Sequence, residues 1–343
     1  MHEKIAGSSI LREFGLAEGK LTPLESGLIN ASWHVETPGG KSFVLQRVNP
    51  MFPARINDDI DVVTRHLQAR GMCTPVIVPT VEGTTALVRS EAVWRVLTYI
   101  PGISRDALET TRQALQVGAL LGRFHRSVSD LEHAFSNPRP GVHDTAAHLA
   151  KLNRALKSHR HHPRFDRVAA LAERILHLAA DLPELPLDRE RIVHGDPKIS
   201  NFIFDPDTDE ALAMVDLDTV AFMPVILELG DAFRSWCNPR GEDTVQTEFS
   251  VPLFRAALSG YAREARDLLS DEEWQALPNA ILTIALELAA RFAADALLES
   301  YFGWDSSRFR TASEHNLLRA TGQLCLAENI GTQQKTLNNM IND

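Results

Sequence analysis

Residues 194–204 read HGDPKISNFIF, and after the acidic turn DPDTD at 205–209 the chain continues to MVDLDT at 214–219. His194, Asp196, Lys198 and Asn201 fall close together, and Asp216 follows fifteen residues after the Asn. The apolar pair Ile192-Val193 leads into this cluster, while NFIFD and ALAMVDLD read as two strands of a hairpin around the DPDTD turn. A polar surface turn contains the same residue types, but not at this spacing between strands. The chemistry that asks for the set is phosphoryl transfer. A phosphoryl group in transit is loose and anionic, so it needs positioning and positive charge more than a strong base. Asp196 is expected to accept a hydrogen bond from the attacking hydroxyl and take its proton late. Lys198 is placed to reach the moving phosphate as a point charge. Asn201 and Asp216 are the expected oxygen ligands of Mg²⁺, which keeps substrate phosphates in its shell.

The spacing H-x-D-x-x-x-x-N followed by an Asp on the next strand is shared with protein kinases and their small-molecule relatives. The wording HGDPKISN, VDLDT and LGDAFRSWCNPRGED (229–243) resembles the aminoglycoside/choline kinase superfamily, over about residues 20–330. Within it the chain is similar to the N-acetylhexosamine 1-kinase-like branch. The matches are VLQRVN at 44–49, Arg291-Phe292 with Asp295, Tyr301-Phe302 and His315-Asn316-Leu317. The resemblance implies an α+β, protein-kinase-like two-lobed fold: a small β-rich N-lobe at 1–100 that binds nucleotide, and a larger, mainly helical C-lobe at 101–343 with the catalytic loop and acceptor site. It implies ATP and Mg²⁺, and a small-molecule acceptor. An N-acetylhexosamine phosphorylated at its anomeric hydroxyl comes first; an amino alcohol or aminoglycoside is the alternative. A catalytically silent kinase-like binding module is the rival from another class, and the intact Asp196, Asn201 and Asp216 stand against it. The resemblance further implies that Asp231 and His194 support the catalytic loop, and that Asp218, Arg234, Arg291 and Tyr301 face the acceptor. The chain departs from the branch at Leu28, Phe222-Met223 and Leu227-Glu228, where a His, a Pro-Gly and a Tyr-Asp are usual.

The N-terminal hundred residues read as a hairpin around the PGG turn at 38–40, a helix over 54–70, and two more strands through TPVIVPTV and AVWRVLTYI. Adenine would lie against the hinge backbone near Tyr99. A glycine-rich phosphate loop is absent; Ser26 to Ser32 offers Gly27 for one close backbone approach and Asn30 for a side-chain hydrogen bond. A third-strand lysine is absent too. Gln46 and Arg47 alternate on opposite faces, so only one can enter the cleft; the charge requirement of phosphates favours Arg47. Beyond the hinge, helices are expected over 111–131, 166–180, 251–268 and 273–299. His125 reads as a packed core histidine, and KSHRHHPRF at 157–165 as a solvated helix end rather than a metal site.

A chain of 343 residues usually divides into two lobes. The formal charge is −10, and the whole deficit falls beyond residue 102, where 25 basic residues face 35 acidic ones. That argues against nucleic-acid binding, which wants a basic face. Three scattered cysteines form no disulfide framework, so a reducing, cytoplasmic setting is expected. The N-terminus shows no basic-then-apolar leader, and no run of about 18 apolar residues suggests a membrane span.

Overall fold

The computed structural model describes residues 9–24, 30–138 and 140–342. The PGG turn forms as its composition demands: Gly40 sits at φ 74° and its N–H meets Thr37 O at 2.9 Å. On either side of it β2 (Ala31–Glu36) and β3 (Ser42–Val48) pair antiparallel. With β1 (Lys20–Leu24), β4 (Ile77–Val78), β5 (Leu87–Arg89) and β6 (Ala92–Thr98) they build one six-stranded sheet, ordered β1-β2-β3-β6-β4 with β5 also on β6. The segment TPVIVPTV contributes only two strand residues, because Pro75 and Pro79 lack the N–H that a ladder needs. Strand alternation divides the sheet's faces. Leu45 and Val96 pack with Val35 beneath Ile10 and Leu11 of helix α1 (9–13). Val44, Val48 and Leu97 face the other way, toward Ile56, Ile60, Val63 and Leu67 of helix α2 (Ile56–Ala69).

The linker after Thr98 is stitched to the C-lobe. Ile103 and Phe204 exchange both backbone hydrogen bonds at 2.8 Å. Gly102, at φ 155°, lies so close to Phe204 that an added Cβ would stand 2.6 Å from its carbonyl oxygen. The rest is mainly helical: α3 (Thr111–Val128), α4 (Thr145–Ser158), α5 (Phe165–Ala179), α6 (Val225–Trp236), α7 (Val251–Ala265), α8 (Asp271–Gln275), α9 (Leu277–Leu298) and α10 (Ala312–Asn342). Two small antiparallel pairs hold the catalytic segment, β8 (Phe202–Phe204) with β9 (Ala211–Met214), and β7 (Glu190–Val193) with β10 (Ala221–Pro224). α9 is buried along most of its length, and α4, α5, α6 and α10 pack around it. This is the two-lobed kinase-like α+β architecture. The run expected at 273–299 is broken at Ala276, since Pro278 is tolerated only in a first helical turn.

α3 and α7 pack face to face at two glycines. A Cβ on Gly118 would meet Ala257 O at 2.0 Å, and one on Gly260 would meet Leu115 O at 2.1 Å. Backbone is in contact at both points, so no side-chain rotation relieves the clash. Gly118→Ala is expected to cost at least about 1–3 kcal/mol of stability, read as a lowered denaturation midpoint with an unchanged denaturant slope.

Candidate active site

The catalytic loop and the Asp216 segment are tied together by their backbones. Buried His194 donates through Nε2 to Val215 O (3.0 Å), and Thr219 Oγ1 donates to His194 O (2.8 Å). Val215 N donates to Asn201 O at 2.9 Å. A ring that donates from Nε2 and receives the Asp196 N–H on Nδ1 (3.4 Å) is neutral, and burial lowers the His194 pKa accordingly. Gly195, at φ 82°, sits where a Cβ would stand 2.3 Å from Thr219 O. Trp236 Nε1 holds Pro197 O from below at 2.6 Å, and Ser104 Oγ holds Ser200 O at 2.9 Å.

These ties bring Asp196, Lys198, Asn201 and Asp216 together. Lys198 Nζ donates to Asp196 Oδ2 at 2.6 Å. Asn201 Nδ2 donates to Asp196 O (2.8 Å) and Oδ2 (3.2 Å), which leaves its Oδ1 as a neutral acceptor. Burial opposes the Lys198 ammonium, but Asp196, with Asp216 and Glu242, more than offsets this and raises its pKa. Asp216 occupies the left-handed region (φ 65°, ψ 57°), a strained conformation for a side-chain-bearing residue. Burial first, then the neighbouring Asp218 and Asp196, push its carboxyl up to about 6. A crowded carboxylate beside a neutral amide oxygen fits Mg²⁺, which is held by few protein ligands plus phosphate.

Glu228 anchors the loop from α6. Its Oε1 accepts the Gly195 N–H at 2.6 Å, its Oε2 meets His125 Nε2, and His125 Nδ1 meets Tyr261 OH at 2.9 Å. The expectation that Asp231 performs this bracing is corrected: Asp231 lies nearly one turn further along α6 and binds Arg234 Nε (3.0 Å) and Nη2 (2.8 Å). Leu227-Glu228, read in sequence as a departure, therefore keeps a carboxylate at the brace. His125 is a core residue, as expected, but within this chain of polar groups.

Of the residues expected to meet the nucleotide, Gly27 lies outside the described residues. Gln46 and not Arg47 faces the cleft. Arg47 is exposed on the opposite face of the sheet, because β3 alternates and Leu45 beside it is committed to the outer core. Gln46 Nε2 donates to Ser32 Oγ at 3.0 Å and its Oε1 accepts from Arg95 Nε at 2.8 Å. Arg95, not singled out in the sequence, pairs with Asp218. Asp218 is thereby corrected as an acceptor contact: it is 2% exposed and holds Arg95 and Asn30 Nδ2 (2.6 Å). Asn30 in turn accepts the Asn49 N–H (2.9 Å), so its carboxamide joins strand to C-lobe. Tyr99 follows β6, its ring 4.7 Å from His34.

Of the residues expected to face the acceptor, buried Arg234 bonds Asp231, Glu242 (2.7 Å) and Gln323. Arg291 approaches Glu287 at 3.6 Å, and Glu287 also holds His143 Nδ1 (2.9 Å) and Thr145 Oγ1 (2.7 Å). Arg291 and Tyr301, the latter 53% exposed, line a cavity of about 170 Å³ with Asp295 and Lys151. Asp243 accepts from His315 Nε2 (2.8 Å) and Arg319 Nε (2.7 Å).

The profile of the phosphotransferase enzyme family matches residues 20–269. The chain belongs to this family. It is a small-molecule phosphotransferase of the aminoglycoside/choline kinase superfamily. Among solved structures, a microcompartment-associated aminopropanol kinase is similar at 17% identity, covering 96% of this chain and 98% of its own, with a TM-score of 0.63. The aminoglycoside phosphotransferase from Alicyclobacillus acidocaldarius matches at 15% identity, covering 96% of each chain (TM-score 0.61). The choline kinase from Cryptosporidium parvum Iowa II matches at 13% identity over 100% of both chains (TM-score 0.61). At these identities the likeness speaks for the fold. No helix among the described residues is long and apolar enough to cross a membrane.

Glu228→Ala removes the buried acceptor of the Gly195 N–H and the partner of His125. In the phosphotransferase it is expected to lower the melting temperature and to reduce kcat by about a hundredfold, the scale of a small misplacement of the reacting groups. The KM for nucleotide should stay within about twofold, since the brace lies on the side of the loop facing α6; steady-state kinetics read the difference.

Proposed function

We propose that this phosphotransferase moves the γ-phosphoryl group of ATP, in the presence of Mg²⁺, to a hydroxyl of a neutral, polyhydroxylated small molecule, with an N-acetylhexosamine accepting at its anomeric hydroxyl as the first candidate. The observation that carries the acceptor reading is charge compensation. Four of the carboxylates expected near the acceptor are held by a cation or a histidine: Asp231 and Glu242 by Arg234, Glu287 by His143 and Arg291, Asp243 by His315 and Arg319; Asp295 is held by the N–H groups of Ser300, Tyr301 and Phe302 and by Asn316 Nδ2. Such alternating groups offer donors and acceptors to hydroxyls and an acetamide. The anomeric hydroxyl is also more acidic than an ordinary alcohol, which suits a carboxylate base.

In this reading the N-lobe at 1–100 takes the nucleotide, its adenine against the hinge near Tyr99, and the C-lobe takes the acceptor. Asp196 orients the attacking hydroxyl and receives its proton as the new P–O bond forms and the bond from the γ-phosphorus to the β,γ-bridging oxygen breaks, leaving ADP. Lys198, held by Asp196, is released toward the phosphoryl group as that proton arrives and the carboxylate loses its charge. Asn201 Oδ1 and Asp216 would hold Mg²⁺, which when bound withdraws charge from the phosphates. Arg291 and Tyr301 lie on the acceptor side.

A second reading has its own support. Arg234 serves two carboxylates, Asp231 and Glu242, leaving one negative charge beside Lys198. An amino alcohol could spend its ammonium there, and the structural neighbours carry names of aminopropanol and choline kinases.

An ATP-consumption screen across hexosamines, amino alcohols and aminoglycosides decides between them. The strongest signal is expected with N-acetylglucosamine or N-acetylgalactosamine, giving the 1-phosphate; a win for aminopropanol, ethanolamine or choline selects the second reading.

Two substitutions test the chemistry. Asp196→Asn is expected to abolish turnover while calorimetry still finds Mg-ATP binding; near wild-type turnover would remove Asp196 from the mechanism. Asp216→Ala should lose Mg²⁺-dependent ATP binding, and unchanged affinity would count against the whole assignment.

A further inference from the structure

Strands β1–β6 carry four Lys or Arg side chains, Lys20, Arg47, Arg89 and Arg95. The first three are exposed; Arg95 is buried on the face turned toward α2 and the C-lobe. Its position is specific. Gln46 on β3 is its direct cross-strand partner, so Arg95 stands one strand away from the cleft-facing third-strand position where a kinase-type lysine is missing. Nε donates to Gln46 Oε1 (2.8 Å), Nη1 to Asn57 Oδ1 of α2 (3.4 Å) and to Asp218 Oδ1, and Nη2 to Asp218 Oδ2 (2.9 Å). Four of its five N–H groups are accounted for among the described residues, and one on Nη2 remains.

The partner matters as much as the cation. Asp218 sits two residues beyond Asp216, and the fork of Arg95 grips both of its oxygens. Asn30 donates to the same carboxylate at 2.6 Å. One buried C-lobe carboxylate thus collects donors from β6 and from the segment before β2. The charge of Arg95 also acts on Asp216 itself. A buried ion pair is weak as a source of stability, because desolvation consumes much of its Coulomb energy. Its geometry, joining β3, α2 and the Asp216 segment through one guanidinium, calls for another use.

We propose that Arg95 is the nucleotide-positioning cation of this phosphotransferase: it replaces the third-strand lysine, presents its remaining N–H to the nucleotide's phosphates, and through Asp218 locks the Asp216 segment to the N-lobe. This rests on the ATP reading above and adds to it the residue that reads the phosphates. A guanidinium suits the task, since its planar fork can hold a carboxylate on one edge and offer a donor to a phosphate beside it.

The test is calorimetric titration of the full chain with Mg-ATP and, separately, with adenosine. Arg95→Met is expected to weaken Mg-ATP by about ten- to a hundredfold, the worth of a hydrogen bond to a charged group. Adenosine affinity should stay within about twofold. Arg95→Met leaves Asp218 buried without its cation, so the neutral pair Arg95→Met with Asp218→Asn is measured beside it; the same selective loss is expected at a wild-type melting temperature. Gln46→Lys combined with Arg95→Met returns the charge to β3 and should recover at least half of the lost binding energy. Wild-type Mg-ATP affinity in the neutral pair overturns the proposal. So does an equal loss of ATP and adenosine, which would mark Arg95 as scaffold. A wild-type chain that binds no Mg-ATP would refute the ATP reading, and this assignment with it, before any variant is compared.

Discussion

The active-site geometry depends on one close crossing, the catalytic loop against the segment that follows β9. Gly195 is pressed so near the Thr219 carbonyl that no side chain fits there, and its positive φ excludes most other residues independently. The crossing is locked in both directions, by His194 onto Val215 O and by Thr219 onto His194 O. The spacing between Asp196, Asn201 and Asp216 is therefore set by backbone contacts rather than by the reacting side chains. This is the arrangement a phosphoryl-transfer site needs, because its catalysis is positioning and electrostatics and little else. The strained backbone of Asp216 is held by the same contacts, including the Val215 N–H bond to Asn201 O.

Charge in the cleft is distributed in layers. At the centre, burial and the neighbouring carboxylates make the anionic form of Asp216 costly, and Lys198 and Arg95 relieve only part of that cost. The imbalance favours the arrival of a cation. Around the centre, Asp231, Glu242, Glu287 and Asp243 already have partners, so their orientation is fixed by internal pairs. The overall acidity of the C-terminal part is thus a poor guide to the acceptor. Most of the acidic residues around the cleft are consumed by internal pairs, and what an incoming molecule meets is the residue of that pairing.

The legible part of the sequence was the part where chemistry and turn formation both depend on residue identity. HGDPKISN and VDLDT named four groups that the fold brings together, and the PGG and DPDTD turns marked two hairpins. The two-lobed α+β fold followed from the same wording. Faces were harder. Alternation separated Gln46 from Arg47 but could not say which side was core; Leu45, packed with Val35 and Val96, decides it in the structure. Arg95 gave no signal, since a lone Arg within AVWRVLT has no local partner and its meaning comes from Asp218, 123 positions away. α10 was missed for a related reason. α10 buries His315, Asn316 and Gln323 along with its apolar residues, so its inward face does not read as hydrophobic.

The same lesson applies to the apparent departures from the family wording. At Leu227-Glu228 the usual aspartate is gone, yet a carboxylate still meets the Gly195 N–H, and the longer side chain lets its second oxygen reach His125. At Gln46 the lysine is gone, but the adjacent strand supplies a guanidinium at the cross-strand position, and Gln46 itself orients it. The requirement is for a group at a point in space: at 228 a longer side chain on the same backbone position meets it, and at 46 the proposed substitute stands on the neighbouring strand. A missing motif letter is evidence of lost chemistry only when no side chain from an adjacent element occupies the same point. Position 228 escapes that condition through its own side chain, and position 46, on the proposal made for Arg95, through its partner across the ladder.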